Sequence, residues 1–310
     1  MKVVFMGTPD FAVPTLTALL DAGHSVLAVI TSVDKVAGRG QTLQTSAVKQ
    51  EALARNIPVW QPANLKDETF LQKLTDLQAD IFVVVAFRML PEKVWSIPSK
   101  GTLNLHASLL PDYRGAAPIN WVLMNGESKT GATTFLITHE IDTGDLLLQY
   151  EINIPSEWNA GDLYDHLKME GANLVVRTLL ELQAGTLSSI PQDHTKALHA
   201  APKIFRETCK LDFNTLSVLQ IHQYVRGLSP YPGAWCKDAK GMTLKIFKTH
   251  PEINFVHSHV PGTVVPENQR LWLYGIGGRL ELLEVQPEGK KRMKADDYQR
   301  GYVPQLTVLS

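Results

Sequence analysis

The chain has 310 residues, 44% of them hydrophobic and 20% charged, with a formal net charge of −1; that is enough apolar content for one large core or two modest ones. No window approaches the roughly 18 uninterrupted apolar residues of a membrane span, and the opening Met1-Lys2-Val3-Val4-Phe5-Met6-Gly7 lacks the layout of a signal peptide. Cys209 and Cys236 are too few for a disulfide framework, so the reading is a cytoplasmic protein with reduced, packed thiols.

Net charge alone speaks neither for nor against a nucleic-acid partner, but its distribution is uneven. Residues 206–310 carry 14 Lys+Arg against 10 Asp+Glu, and residues 1–205 carry 16 against 21. The densest basic run, Lys290-Lys291-Arg292, reads either as a solvated loop or as a phosphate-contacting patch.

In the first half, short apolar runs alternate with helical patterns, which predicts an α/β, Rossmann-like parallel sheet. Strands are expected at Val3–Met6, Val26–Ile30, Pro58–Trp60, Ile81–Ala86 and Leu103–Leu105. Helices are expected at Phe11–Leu20, Ala47–Arg55, Asp67–Leu74 and Ala117–Asn125. Thr133–Ile137 and Leu146–Ile152 read as an antiparallel pair, and the apolar spacing of Ala160–Leu182 closes a domain at residues 1–183 with a long helix. Residues 184–205 turn polar, with Pro191, His194, His199 and Pro202, and read as a surface linker. After a helix at Leu216–Val225, about five short strands between Gly233 and Gln286 predict a small β-barrel in a domain at residues 206–310.

The first strand runs into Gly7-Thr8-Pro9-Asp10, without the Gly-x-Gly-x-x-Gly of a dinucleotide site. Gly7 is either a tight strand-to-helix turn or a contact to a substrate. The chemistry concentrates in Asn104-Leu105-His106, at the end of a predicted strand, where open α/β sheets place their sites. Two residues apart, the amide and the imidazole share one face of an extended chain. An amide donor beside a titratable ring suits acyl transfer to an amine, in which an oxyanion is stabilised and a proton leaves nitrogen. Asp142, in Ile141-Asp142-Thr143-Gly144, is either a carboxylate that orients His106 or the head of an ordinary Asx-turn; the spacing leaves both open. No His shows metal-ligand spacing, so no metal is expected.

Asn104-x-His106, Ser108-Leu109-Leu110-Pro111, Tyr113-Arg114-Gly115-Ala116-Ala117-Pro118-Ile119, Thr130-Gly131-Ala132-Thr133 and Ile141-Asp142-Thr143-Gly144, in that order, resemble the signature of the folate-dependent formyltransferases. The resemblance implies Asn104, His106 and Asp142 as the catalytic trio, with Asn104 and His106 stabilising the oxyanion and Asp142 placing a water or the imidazole for proton transfer. It implies a folate site lined by Ser108, Leu109, Leu110 and Pro111, joined by Phe87, Met89 and Leu90, and 10-formyltetrahydrofolate as co-substrate.

Outside this core, Gly7-Thr8-Pro9-Asp10-Phe11-Ala12, Ala37-Gly38-Arg39-Gly40, Gln61-Pro62, Tyr231-Pro232-Gly233-Ala234 and Glu284 to Met293 resemble the members that formylate methionyl-initiator tRNA. That implies an oligonucleotide-binding-like C-terminal barrel and a monomer, with Arg39, Lys290, Lys291 and Arg292 as tRNA contacts. Three departures stand out. Gln41 to Thr45 replaces a Lys-rich run, Ser32-Val33-Asp34 replaces Gln-Pro-Asp, and Arg88 stands where Gly is common; Arg88 either alters folate affinity or points to solvent. The runner-up is a sugar-nucleotide N-formyltransferase, which shares the catalytic motifs, and a third reading is a non-catalytic nucleic-acid-binding barrel.

Overall fold

The computed structural model describes residues 1–37, 42–302 and 307–310. Packing divides the chain into two compact units, each discontinuous in sequence: residues 1–115, 129–152 and 164–200 form the first, and residues 116–128, 153–163 and 201–310 the second.

In chain order the strands are β1 (Lys2–Gly7), β2 (Ser25–Ile30), β3 (Lys35–Ala37), β4 (Thr42–Gln44), β5 (Val59–Trp60), β6 (Ile81–Val85), β7 (Thr102–His106), β8 (Arg114–Gly115), β9 (Lys129–Leu136), β10 (Leu146–Asn153) and β11 (Ala200–Ala201). The helices among them are α1 (Val13–Asp21), α2 (Ala47–Ala54), α3 (Glu68–Asp76), α4 (Glu92–Trp95), α5 (Pro118–Met124) and α6 (Ala160–Ala184). The first unit is built on one sheet ordered β10-β9-β7-β6-β1-β2-β5. β2, β1, β6 and β7 run parallel, and β9 joins β7 antiparallel, with Asn104 opposite Phe135 and His106 opposite Thr133.

The central strands are buried on both faces, as the unbroken apolar run Ile81–Val85 requires. Side-chain caps start two of the helices: Ser46 accepts from the backbone N–H of Lys49 and Asp67 from that of Phe70. The expected helix at Phe11–Leu20 opens instead with a 3₁₀ turn at Asp10–Ala12, and α1 begins at Val13 with Pro14 in its first turn. Proline lacks an N–H, so it sits without cost at a helix start. Gly7 is set in this tight turn: a Cβ there would meet Ala12 Cβ at 2.8 Å and the Val85 carbonyl at 3.0 Å.

The second unit holds α7 (Val218–Gly227), β12 (Ala234–Lys237), β13 (Thr243–Ile253), β14 (Thr263–Glu267), β15 (Arg270–Gly275), β16 (Gly278–Pro287), β17 (Met293–Lys294), α8 (Ala295–Tyr302) and β18 (Thr307–Val308). The strand path is β12-β13-β16-β15-β14-β18, with β17 paired to β16 and every one of these pairings antiparallel. The two ends of the path meet: Lys237 and Ser310 exchange backbone hydrogen bonds at 2.6 and 2.9 Å. This removes the open edge, as a small barrel must. The pairing of the long β13 with β16 slips in register around Lys248. A capping box formed by Ser217 and Gln220 starts α7, whose buried Val218, Ile221 and Val225 share one core cluster with Leu244, Ile246 and Leu273.

Candidate active site

β7 carries the candidate residues out of the core at its carboxyl end. His106 is buried, and its Nε2 lies 2.9 Å from the carbonyl oxygen of Tyr113. A carbonyl only accepts, so Nε2 carries the hydrogen and Nδ1 is the ring position left for chemistry. Nδ1 lies 3.7 Å from Asp142 Oδ2, longer than a hydrogen bond. Asn104 sits two residues earlier on the same strand and is half-buried.

Asp142 lies in a turn and also faces the imidazole. Its backbone is left-handed, at φ +56°, as in a turn, and Oδ2 also accepts from the backbone N–H of Gly115 at 2.9 Å. The turn presents the carboxylate to the imidazole. Gly144 closes this turn so tightly that a Cβ there would lie 1.7 Å from the Leu136 carbonyl.

The Ser108–Pro111 loop is held from below by Thr133, which sequence reasoning met only inside a motif and a strand, and by Gln149, which it passed over. Thr133 Oγ1 donates to the Ser108 carbonyl and accepts from the Leu110 N–H, while Gln149 Nε2 donates to the Leu110 carbonyl at 2.8 Å. Gly131, one strand residue pair away, has no room for a side chain: its Cβ would lie 1.8 Å from the Tyr150 carbonyl. Within the loop, Ser108 Oγ donates to the Asp112 carbonyl and the Leu110 side chain is buried. Leu90 is buried as well, Phe87 packs partly on the core, and Met89 is 74% exposed. Of the folate-lining candidates, Ser108, Leu110 and Leu90 therefore offer mainly backbone. Leu109, Pro111, Phe87 and Met89 keep apolar surface outside the ends of the adjacent strands β6 and β7.

Arg88 is held by backbone carbonyls and an aromatic ring. Its guanidinium donates to the carbonyls of Pro62 and Ala63, the latter at 3.1 Å, and lies 5.7 Å from the centre of the Phe87 ring. Asp34, in the departing Ser32-Val33-Asp34, pairs with Lys49 and accepts from Gln61 Nε2 at 2.7 Å. Hydrogen bonds from Lys49 and then Gln61 hold its carboxyl below the usual range. Arg39 lies outside the described residues.

The segment read as a surface linker is in part a structural strap. Ile190 bridges Leu146 antiparallel, the Tyr113 N–H donates to the His199 carbonyl, and the Tyr113 and His199 rings stack at 5.0 Å. Gln192 within it is buried, because it satisfies polar groups that a linker would leave to water.

In the second unit, Lys290 and Lys291 are exposed in the turn between β16 and β17. Arg292, expected as a tRNA contact beside them, pairs with Glu284 across the hairpin and packs 4.4 Å from the centre of the Phe247 ring. Cys236 is buried, and burial pushes its thiol up to about 12; Cys209 is shifted upward for the same reason. Neither thiol is a nucleophile in this setting. Among the described residues, no cluster of three His, Cys, Asp or Glu side chains could hold a metal ion, and no helix is long and apolar enough to cross a membrane.

Residues 1–179 match the formyl transferase family model, and residues 203–303 match the model of the formyl transferase C-terminal domain. Methionyl-tRNA formyltransferase from Bacteroides fragilis is 45% identical over 97% of this chain and 95% of its own length. The chain belongs to the methionyl-tRNA formyltransferase family. The enzyme of that name from Azobacteroides pseudotrichonymphae, at 48% identity, and that from Flavobacterium psychrophilum, at 45%, likewise cover 97% of this family member.

Solved structures share the fold at lower identity. An N-formyltransferase from Helicobacter canadensis, in complex with folinic acid and dTDP-3-aminofucose, aligns with a TM-score of 0.68 at 21% identity, covering 93% of this chain and 99% of the other. HypX from Aquifex aeolicus in complex with tetrahydrofolic acid aligns at 0.65 and 17%, covering 96% of this chain; the family member spans about half (47%) of the HypX chain.

Proposed function

We propose that this enzyme transfers the formyl group of 10-formyltetrahydrofolate to the free amino group of methionyl-initiator tRNA, acting in the cytoplasm as a monomer. The observation that carries the reading is the relationship to methionyl-tRNA formyltransferases over nearly the whole of both chains, C-terminal barrel included. In this reading residues 1–183 form the catalytic domain, 184–205 the linker and 206–310 the tRNA-binding domain.

The transfer forms a bond between the amine nitrogen and the formyl carbon, breaks that carbon's bond to the folate nitrogen, and moves one proton from the amine to the leaving nitrogen. Asn104 supplies an amide donor to the oxyanion that develops on the formyl oxygen. His106 is oriented by its Nε2–H bond to Tyr113, so Nδ1 is the position that takes and returns a proton, with Asp142 beside it to hold the charge that results. A flat, partly apolar pterin suits the exposed surface of Phe87, Met89, Leu109 and Pro111 at the carboxyl ends of β6 and β7, where open α/β sheets bind ligands; Ser108, Leu110 and Leu90 contribute backbone. Lys290 and Lys291, with Arg39, are assigned to the tRNA backbone.

The test offers labelled 10-formyltetrahydrofolate with methionyl-initiator tRNA or with an amino-sugar nucleotide. Formylation of the tRNA alone is expected; formylation of the sugar alone would establish the runner-up instead.

A further inference from the structure

We infer that Gln192 is a positioning residue for this reaction: its side-chain amide locks the Asp142 turn to the Arg114–Gly115 strand and so fixes the carboxylate against His106. The inference rests on the proposed role of Asp142.

One side-chain amide reaches two segments distant in sequence. Gln192 Nε2 donates to the carbonyls of Asp142 at 2.9 Å and Gly144 at 2.7 Å. Its Oε1 accepts from Arg114 Nε at 3.2 Å and Nη2 at 2.5 Å. Both donors and the acceptor of the amide are thereby used, and the side chain is buried, which leaves it no alternative partner in water. The next residue after Arg114, Gly115, donates its backbone N–H to Asp142 Oδ2, the oxygen that faces His106 Nδ1. Gln192 therefore grips the turn from its carbonyl side while the segment it holds through Arg114 grips the same turn through its carboxylate.

The left-handed backbone of Asp142 gives this grip its importance. A non-glycine residue at φ +56° occupies a conformation that costs energy and persists where the surroundings over-determine it. The two carbonyls flanking Thr143 are the groups whose directions define the turn, and Gln192 is their shared donor. Misplacing a reacting group by about 1 Å is enough to cost about 10²-fold in rate.

The experiment compares Gln192→Glu and Gln192→Met with the full-length wild type, normalised to folded protein. Glu keeps the acceptor for Arg114 but sets an oxygen against two carbonyls; Met keeps the length and loses both functions. The expected result for both is a fall in kcat of about 10²-fold, KM for folate and for tRNA within about twofold, and displaced His106 ring 15N signals in NMR spectra. A merely structural glutamine would lower Tm but leave kcat per folded molecule and the His106 signals in place. Wild-type kcat or unmoved His106 signals in whichever variant folds would overturn the inference. Asp142→Asn, run alongside, separates the two failures. If that variant stays active, the role proposed for Asp142 falls; if it is dead while the Gln192 variants keep wild-type kcat, only the role of Gln192 falls.

Discussion

The backbone N–H of Gly115 and the imidazole Nδ1 of His106 converge on the same oxygen, Oδ2 of Asp142, at 2.9 and 3.7 Å. The carboxylate is thus anchored by a fixed donor and faces a titratable one. The Gly115 N–H, at hydrogen-bond distance, fixes the place of the carboxylate, and the imidazole stands further off.

Asn104→Ala should lower kcat by roughly 10² to 10³, the usual cost of one oxyanion donor, and His106→Ala by about 10² to 10⁴, that of a proton-transfer group. KM for either substrate should change little, because neither group is assigned to ground-state binding. Steady-state kinetics with both substrates varied distinguish this from a pair of binding residues, which would raise KM and spare kcat.

Asp142→Asn separates charge from turn. Asn adopts the left-handed region as readily as Asp, so the Gly115 contact and the turn should survive and Tm should stay within about 2 °C, as for a change costing under about 0.5 kcal/mol. Activity should nevertheless collapse. An active Asp142→Asn enzyme would reduce the carboxylate to a turn-former.

The barrel's basic turn predicts a division of labour. Lys290→Ala with Lys291→Ala should raise KM for the charged tRNA and lower the log-log salt slope by about 0.7 to 0.9 per lost phosphate contact, without changing folate affinity. Arg292→Ala should instead lower stability by about 1 kcal/mol, because its guanidinium packs on Phe247 and pairs with Glu284. Arg39→Ala should reduce kcat as well as tRNA affinity if it helps deliver the amine. Thermal melts and salt-dependent kinetics of the separate variants decide the assignment.

The second unit should lose stability on mild acidification. Burial, then the charges of Arg226 and His250, pull His222 down to about 4, and its Nδ1 lies 2.8 Å from Thr249 Oγ1. A histidine whose folded pKa lies below its unfolded value of about 6.5 binds its proton more tightly when unfolded. Its contribution is therefore full above pH 6.5 and declines as pH falls towards 4, by up to about 3 kcal/mol. Urea titrations at pH 7 and pH 5 should show about 2 kcal/mol of that loss, and His222→Gln should flatten it.

Strand positions in both units were legible because each buried strand is an uninterrupted or alternating apolar run, as Ile81–Val85 and Leu271–Tyr274 illustrate. The placement of Asn104 and His106 on one face followed from strand periodicity alone. Other features had no such signal. Arg292 read only as part of a basic run because its partner, Glu284, is brought opposite only by the hairpin. Ser108 and Leu110 read as lining residues because the way the loop folds under Thr133 and Gln149 has no local pattern. Gln192 lay in a polar, proline-containing stretch whose composition is that of a linker, and its burial depends on carbonyls some fifty residues away.

The strap gives the chain a rule about where it can be cut. A fragment ending at Gln183 would contain Asn104, His106 and Asp142, and would end with the long helix α6. It would lack Gln192, which holds the Asp142 turn, and His199, whose carbonyl receives the N–H of the very residue that orients the His106 ring. During synthesis the same gap exists in time: the candidate residues leave the ribosome well before the segment that sets them, so a nascent chain is chemically complete before it is geometrically competent.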